Sequence, residues 1–225
     1  MRSPSRPGAR PPRTPRRPVA KREGSFHHGD LEWAILEAAS QLLEKEGPLG
    51  VGLRAAARLA GVSHNAPYRH FANRESILAA LATRGLGELC DRLTAAARAH
   101  RDPRQSLVAI AETYVTLAAE RPHLFRLMFG PEVADKVRYP AVREAGMRAL
   151  QVLVDTIAEG QRTGVIRPGD PTELALGHWA GVHGVASLLL DGMLADRARE
   201  RGGPGALARM ISDQVRLGLE PRRPE

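Results

Sequence analysis

The sequence predicts an all-α protein: an N-terminal three-helix unit containing a helix-turn-helix, followed by a larger helical unit. Three observations carry that expectation. From residue 30 onward apolar residues recur at i, i+3, i+4 and i+7, the period that lays one stripe along a helix. Helix punctuation returns at short intervals, in Gly47-Pro48, Gly61, Asn73, Asp102-Pro103, Arg121-Pro122, Gly130-Pro131, Gly164, Asp170-Pro171 and Gly203-Pro204. No stretch alternates apolar and polar residues for long enough to propose a strand.

Taken in order, residues 1–22 hold Arg2, Arg6, Arg10, Arg13, Arg16, Arg17, Lys21 and Arg22 with no acid, interleaved with Pro4, Pro7, Pro11, Pro12, Pro15 and Pro18. Proline withholds backbone donors and the segment has no apolar periodicity, so residues 1–25 are expected to be a disordered basic arm. The arm lacks the apolar run of a secretory signal, and its prolines oppose an amphipathic transit helix. A first helix is expected over 30–46. Leu31, Ala34, Ile35, Ala38, Ala39, Leu42 and Leu43 form its stripe, Asp30 is the expected N-cap, and Gly47-Pro48 is the stop. Further helices are expected at 53–60, 63–70, 74–99, 103–120, 122–129, 139–163, 171–195 and 204–218. Asp-Pro opens two of them, the Asp capping while Pro at the first position loses only an N–H that has no helical partner. The expected domains are 26–73 and 74–219, with 220–225 as a short tail.

The chain has 225 residues, 43% hydrophobic and 26% charged, the make-up of an ordinary globular protein of one or two domains. Its net charge of +8 resides in the arm, because 25 basic and 25 acidic residues remain elsewhere. A basic arm on a neutral body attracts a polyanion such as DNA without regard to sequence, an inert extension being the alternative. The single cysteine, Cys90, excludes an intramolecular disulfide framework and a multi-cysteine metal module, and fits a reducing cytoplasm.

Residues 53–71, LRAAARLAGVSHNAPYRHF, carry the most specific local pattern. A helix reaches Ala60, Gly61 turns the chain, and Ser63 is placed to cap a second helix ending near Phe71. Ala57, four residues before the turn, is small enough for the two helices to cross closely. In a helix-turn-helix the first helix braces the second against the DNA major groove. The second helix here offers His64, Asn65, Tyr68, Arg69 and His70, and residues 51–74 contain four arginines and no acid. Two short helices joined by glycine also occur in α proteins that bind no DNA, so spacing alone leaves both readings open.

Gly61-Val62-Ser63, Tyr68-Arg69-His70-Phe71 and Arg74-Glu75 together resemble the DNA-binding domain of the TetR family of transcriptional regulators. Farther on, HWAGVHGVASLLLDG at 178–192 is similar to the Trp-x-x-x-His-Gly signature of a TetR subgroup. The resemblance covers about residues 26–218. It implies a cytoplasmic, nucleoid-associated regulator without catalysis or cofactor, expected to be a repressor released from a palindromic operator by a small apolar effector. It further implies that Tyr68 and His70 contact phosphates, that His64, Asn65 and Arg69 face bases or backbone, and that Arg54, Ser63 and Arg74 border the groove. The chemistry suits those roles, since Asn pairs bidentately with adenine and Arg with guanine, while a Tyr hydroxyl fits a phosphate oxygen. Phe71 reads as core. Pro67, standing where the family often has an aliphatic residue, is expected to cost one backbone bond without breaking the helix.

Regulators of this kind use the larger domain to bind an effector and to dimerise. Tyr114, Phe125, Met128, Phe129, Met147 and Trp179 are the candidate walls of an apolar pocket, and His183 its candidate polar contact; the alternative for each is plain core. Gly177, Ala180, Gly181 and Gly184 form a small-residue stripe, the candidate homodimer interface together with the helix at 204–218. The competing reading of Leu174–Leu190 as a membrane span is disfavoured by its length and two histidines. His178 and His183 diverge around the helix with no further ligand nearby, so no metal site is expected. An all-α enzyme or small-molecule carrier is the other function class. The chain shows no HExxH, no GxSxG and no phosphate-binding glycine loop to support it.

Overall fold

The computed structural model describes residues 28–133 and 137–220. The basic arm and residues 221–225 lie outside the described residues. Helix α1 runs over His28–Glu46 and α2 over Leu53–Leu59, followed by a 3-10 turn at Ala66–Arg69 and the long α3, Arg74–Arg98. The remainder is α4, Pro103–Glu120; α5, Pro122–Phe129; α6, Pro140–Arg162; α7, Pro171–Leu190; α8, Ala195–Glu200; and α9, Pro204–Leu217. No strand occurs among the described residues.

The expected stripe of α1 supplies its core face: Ile35, Ala38, Ala39 and Leu43 are buried. Ile35, Ala39 and Leu43 share one core with Leu53 and Ala56 of α2, Phe71 after the 3-10 turn, and Ile77 and Leu78 from the first turns of α3. Gly61 makes the turn after α2 with φ +70°, a left-handed backbone that costs glycine little because it has no Cβ to clash. Asn73 then starts α3 with a reciprocal cap. Its Oδ1 accepts from the Ser76 N–H at 2.9 Å, while Ser76 Oγ accepts from the Asn73 N–H at 3.2 Å.

Helix α3 spans 25 residues, roughly 37 Å, and passes from the first unit into the second, where it packs on α4, α5 and α6. Helix α4 is the centre of the larger bundle, burying Leu107, Ile110, Tyr114, Val115 and Leu117 against α3, α6, α7 and α9. Both Asp-Pro starts are realised. The Asp102 carboxylate accepts from the Arg104 N–H at 2.9 Å and that of Asp170 from the Thr172 N–H at 2.7 Å.

Three local expectations are corrected. Helix α1 begins at His28, two residues early, so Asp30 sits in its first turn, where the carboxylate still complements the positive end of the helix dipole. Of residues 63–70 only Ala66–Arg69 are helical, as a single 3-10 turn, and Ser63 is not its cap. Pro67 has no N–H to give the Ser63 carbonyl, which accepts from the Ala66 N–H at 3.0 Å instead. The chain recovers at Pro67, whose carbonyl receives both the His70 and Phe71 N–H groups at 3.0 and 2.9 Å. Finally, the helix expected over 171–195 stops at Leu190, turns through Gly192 at φ +81°, and resumes as α8.

Candidate nucleic-acid interface and ligand cavity

The turn after α2 presents a polar row because its apolar members face inward. Ala66, Pro67 and Phe71 are buried, whereas Ser63, His64, Asn65, Tyr68 and Arg69 are exposed to differing degrees, Tyr68 by 50%. Arg54 and Arg58 are exposed on the neighbouring α2. With no acid between 51 and 74, this face attracts phosphate, and its amide, phenol and guanidinium groups suit base edges and phosphate oxygens.

Two of the expected contact residues are directed elsewhere. His70 is largely buried against Phe71, with Nδ1 3.3 Å from the Glu32 carboxylate on α1. Arg74 is clamped on backbone: Nε donates to the Val51 carbonyl at 2.9 Å and Nη2 to the Pro48 carbonyl at 2.5 Å. Both side chains fasten the entry of α3 to the first unit, His70 through α1 and Arg74 through the segment between α1 and α2. Their partners lie 38, 23 and 26 residues away in sequence, which explains why spacing alone does not reveal them.

Within the larger bundle α3, α4, α5, α6 and α7 enclose a cavity of about 330 Å³. Tyr114, Met128, Phe129, Met147 and Trp179 line it, with Leu86, Leu89 and Leu93 of α3 among the other lining residues. Phe125 and His183 do not line it. They belong to an aromatic cluster behind it, with Phe125 edge-on to Tyr114 at 5.4 Å and stacked on His183 at 5.6 Å. Their other side borders a shallow cleft shared with Arg126 and Asp191.

The Tyr114 hydroxyl joins cavity and cluster. It accepts from Trp179 Nε1 at 3.2 Å, and its oxygen is within hydrogen-bond distance of His183 Nδ1, 2.8 Å away. An indole nitrogen only donates, so the arrangement that gives the hydroxyl proton an acceptor has a neutral imidazole with its proton on Nε2. Burial agrees with that assignment, pushing the Tyr114 phenol above its ordinary range and the His183 imidazole below its own.

Sequence spacing places neither His178 nor Arg143 and Gly146 at the cavity. His178 lines it and is 1% exposed. Neither ring nitrogen makes a hydrogen bond of good geometry. Burial holds the imidazole at about 4, opposed in part by the Leu107 backbone. Its neighbour Trp179 carries the only local signal.

On α7, Gly177 and Ala180 lie toward the outside and Gly184 is half-buried with open space above it, in line with the exposed Leu176 and Leu188. Gly181 differs from its expected place. It faces α9 of the same chain, where an added Cβ would stand 3.1 Å from Val215 Cγ2. Among the described residues no cluster of three metal-ligating side chains occurs, and no helix is long and apolar enough to cross a membrane.

Comparison with known proteins matches residues 35–81 to the family described as bacterial regulatory proteins, tetR family, and 107–212 to the tetracyclin repressor-like C-terminal domain. The chain is 31% identical over 147 residues to the HTH-type transcriptional regulator Rv1816 of Mycobacterium tuberculosis strain H37Rv, covering 62% of this chain and 61% of that one. It thus spans about three fifths of the length of this curated relative. A structure of a protein of unknown function from Rhodococcus sp. RHA1 is similar at 36% identity and a TM-score of 0.74, over 88% of this chain and all of that one. The transcriptional regulator FadR from Bacillus subtilis, solved in complex with stearoyl-CoA, shares the fold at 17% identity and a TM-score of 0.67, over 84% and 99% of the two chains.

Proposed function

We propose that this chain, which belongs to the TetR family of bacterial regulatory proteins, is a repressor that holds a palindromic operator as a homodimer and leaves it when an apolar effector fills the cavity. DNA-binding regulation of transcription comes with the family; the repressor sign, the homodimer, the palindrome and the effector are the proposal. The observation that carries it is the outward row His64, Asn65, Tyr68 and Arg69, fixed from below by buried Ala66, Pro67 and Phe71.

In this reading residues 26–73 read DNA and 74–219 bind the effector and dimerise. Asn65 and Arg69 meet base edges, His64 meets a base or the backbone, Tyr68 meets a phosphate, and Arg54 and Ser63 border the groove. His70 and Arg74 position the turn from behind. Five cavity residues (Tyr114, Met128, Phe129, Met147 and Trp179) receive the effector. The α7 stripe of Gly177, Ala180 and Gly184 meets its symmetry mate, because one short helical turn reads too few bases for useful specificity and two-fold symmetry doubles the site. Selection of bound duplexes from a random pool, with the mass of the complex measured, tests the reading. The expected result is an inverted repeat carrying two protomers, or a pair of dimers; a single protomer on an asymmetric site overturns it.

A further inference from the structure

From the chemistry of its walls and mouth, and resting on the reading of this cavity as the effector site, we infer that it takes a single-chain amphiphile of about ten carbons whose anionic head stays at the mouth against Arg143. The inner wall is hydrocarbon, with Leu86, Leu89, Leu93, Ile110 and Leu153 facing one void. No aspartate or glutamate lines it. The polar groups that do are not available to a ligand. The Tyr114 hydroxyl is occupied by Trp179 and His183, and both nitrogens of His178 are buried out of reach of water.

A charged group drawn inside would lose its hydration and gain no partner, a cost of several kcal/mol. The head of a charged ligand therefore stays at the rim. There α6 carries Arg143, exposed and without an ion-pair partner among the described residues, one turn before the exposed Met147. A cationic head meets only repulsion at that rim, and an anionic head meets its counter-charge. Size sets the chain length. A methylene fills about the same space as a water in the liquid, about 30 Å³, so a cavity of about 330 Å³ holds about ten heavy atoms.

Gly146 gives the means to test occupancy. It lines the cavity, and a Cβ built on it comes no nearer than 3.9 Å to Leu86, so a larger side chain there enters the void instead of the packed core. Calorimetric titration of the full chain with decanoate, decan-1-ol and decylamine is the experiment. The alkyl chain is constant, and the head is anionic, neutral or cationic. The inference expects decanoate to bind at least tenfold tighter than decylamine. Arg143→Glu should weaken decanoate about three- to tenfold, in line with one exposed ion pair replaced by a repulsion, and leave decan-1-ol within about twofold. Gly146→Leu should weaken acid and alcohol alike by at least about tenfold; Gly146→Val repeats the test with a smaller side chain should the leucine variant not fold.

If decanoate and decylamine bind equally, or if Arg143→Glu leaves decanoate unchanged, the anionic head is overturned, and weaker binding to Gly146→Leu in the same series would still keep the cavity as the site. If both Gly146 variants melt as the parent does and bind acid and alcohol unchanged, the cavity is not the site, and the effector reading falls with this inference. Binding of decan-1-ol without decanoate likewise overturns the anionic class.

Discussion

Arg121, at the corner between α4 and α5, holds Glu44 of α1 across 77 residues of sequence, its Nε donating to Glu44 Oε1 at 2.8 Å. The same guanidinium donates through Nη1 to Glu88 of α3 at 2.6 Å, so one side chain ties together both units and the long helix between them. Next along, the His123 ring lies against Gly47 at the end of α1, 3.3 Å from where a Cβ would stand. Helix α5 also closes on α3 at Gly85, where a Cβ would come within 2.9 Å of Leu124 and Met128. Because Met128 and Phe129 line the cavity, α5 touches the cavity with one end and α1 with the other.

Arg121→Met should therefore destabilise the whole chain by about 1–3 kcal/mol, since it leaves two partly buried carboxylates without their shared cation. A double-mutant cycle with Glu44→Gln should give a coupling of about 1 kcal/mol in urea unfolding. Strictly additive effects would show that the pairing is incidental.

Tyr68→Phe should weaken binding to every duplex alike, because a phenol on a phosphate carries no sequence information. Asn65→Ala should instead relax preference at one position per half-site by ~1–3 kcal/mol, read from binding to a panel of single-base operator variants. A change of sequence preference in the Tyr68 variant would reverse the two roles.

Legibility follows locality. The α1 stripe, the Asp102 and Asp170 caps and the Gly61 turn are set by neighbours in the chain, and the structure realises each. Pro67 is visible in the sequence, but its effect is larger than one bond, because its missing donor removes the link that would have made an α-helix of so short a segment. His70, Arg74 and His183 are oriented by Glu32, by the Pro48 and Val51 carbonyls, and by Tyr114, none of which a sequence window contains. The same limit splits the aromatic set. Trp179 faces the void and Phe125 the cluster behind it, a difference set by helix packing and not by residue type.

That split can be measured. Trp179→Ala enlarges the cavity and should alter decanoate affinity severalfold, whereas Phe125→Ala should cost about 3–5 kcal/mol of stability and leave the affinity of the folded fraction unchanged. Calorimetry on samples matched for folded content distinguishes them; a loss of affinity in the Phe125 variant would return that residue to the binding wall.

Deleting residues 1–22 removes eight positive charges and should lower affinity for any DNA. The slope of log affinity against log salt should become shallower by roughly 0.9 for each phosphate that the arm had neutralised. Identical slopes for the full and shortened chains would make the arm inert.

His178 makes stability depend on pH. Buried and neutral, it titrates at about 4 in the folded chain against an ordinary value of 6.5. The unfolded chain thus binds the extra proton first as pH falls. Its contribution is full above pH 6.5, declines between 6.5 and about 4, and is gone below, a total of order 3 kcal/mol at about 1.4 kcal/mol per pH unit. Urea unfolding at about pH 7.5 and 4.5, either side of most of that window, should show the decline in the parent, and His178→Phe should flatten this part of the profile while changing the absolute stability through its packing. A profile of equal steepness in the variant would assign the acid sensitivity to other groups, His183 being the first to examine because burial also holds its imidazole below the ordinary range.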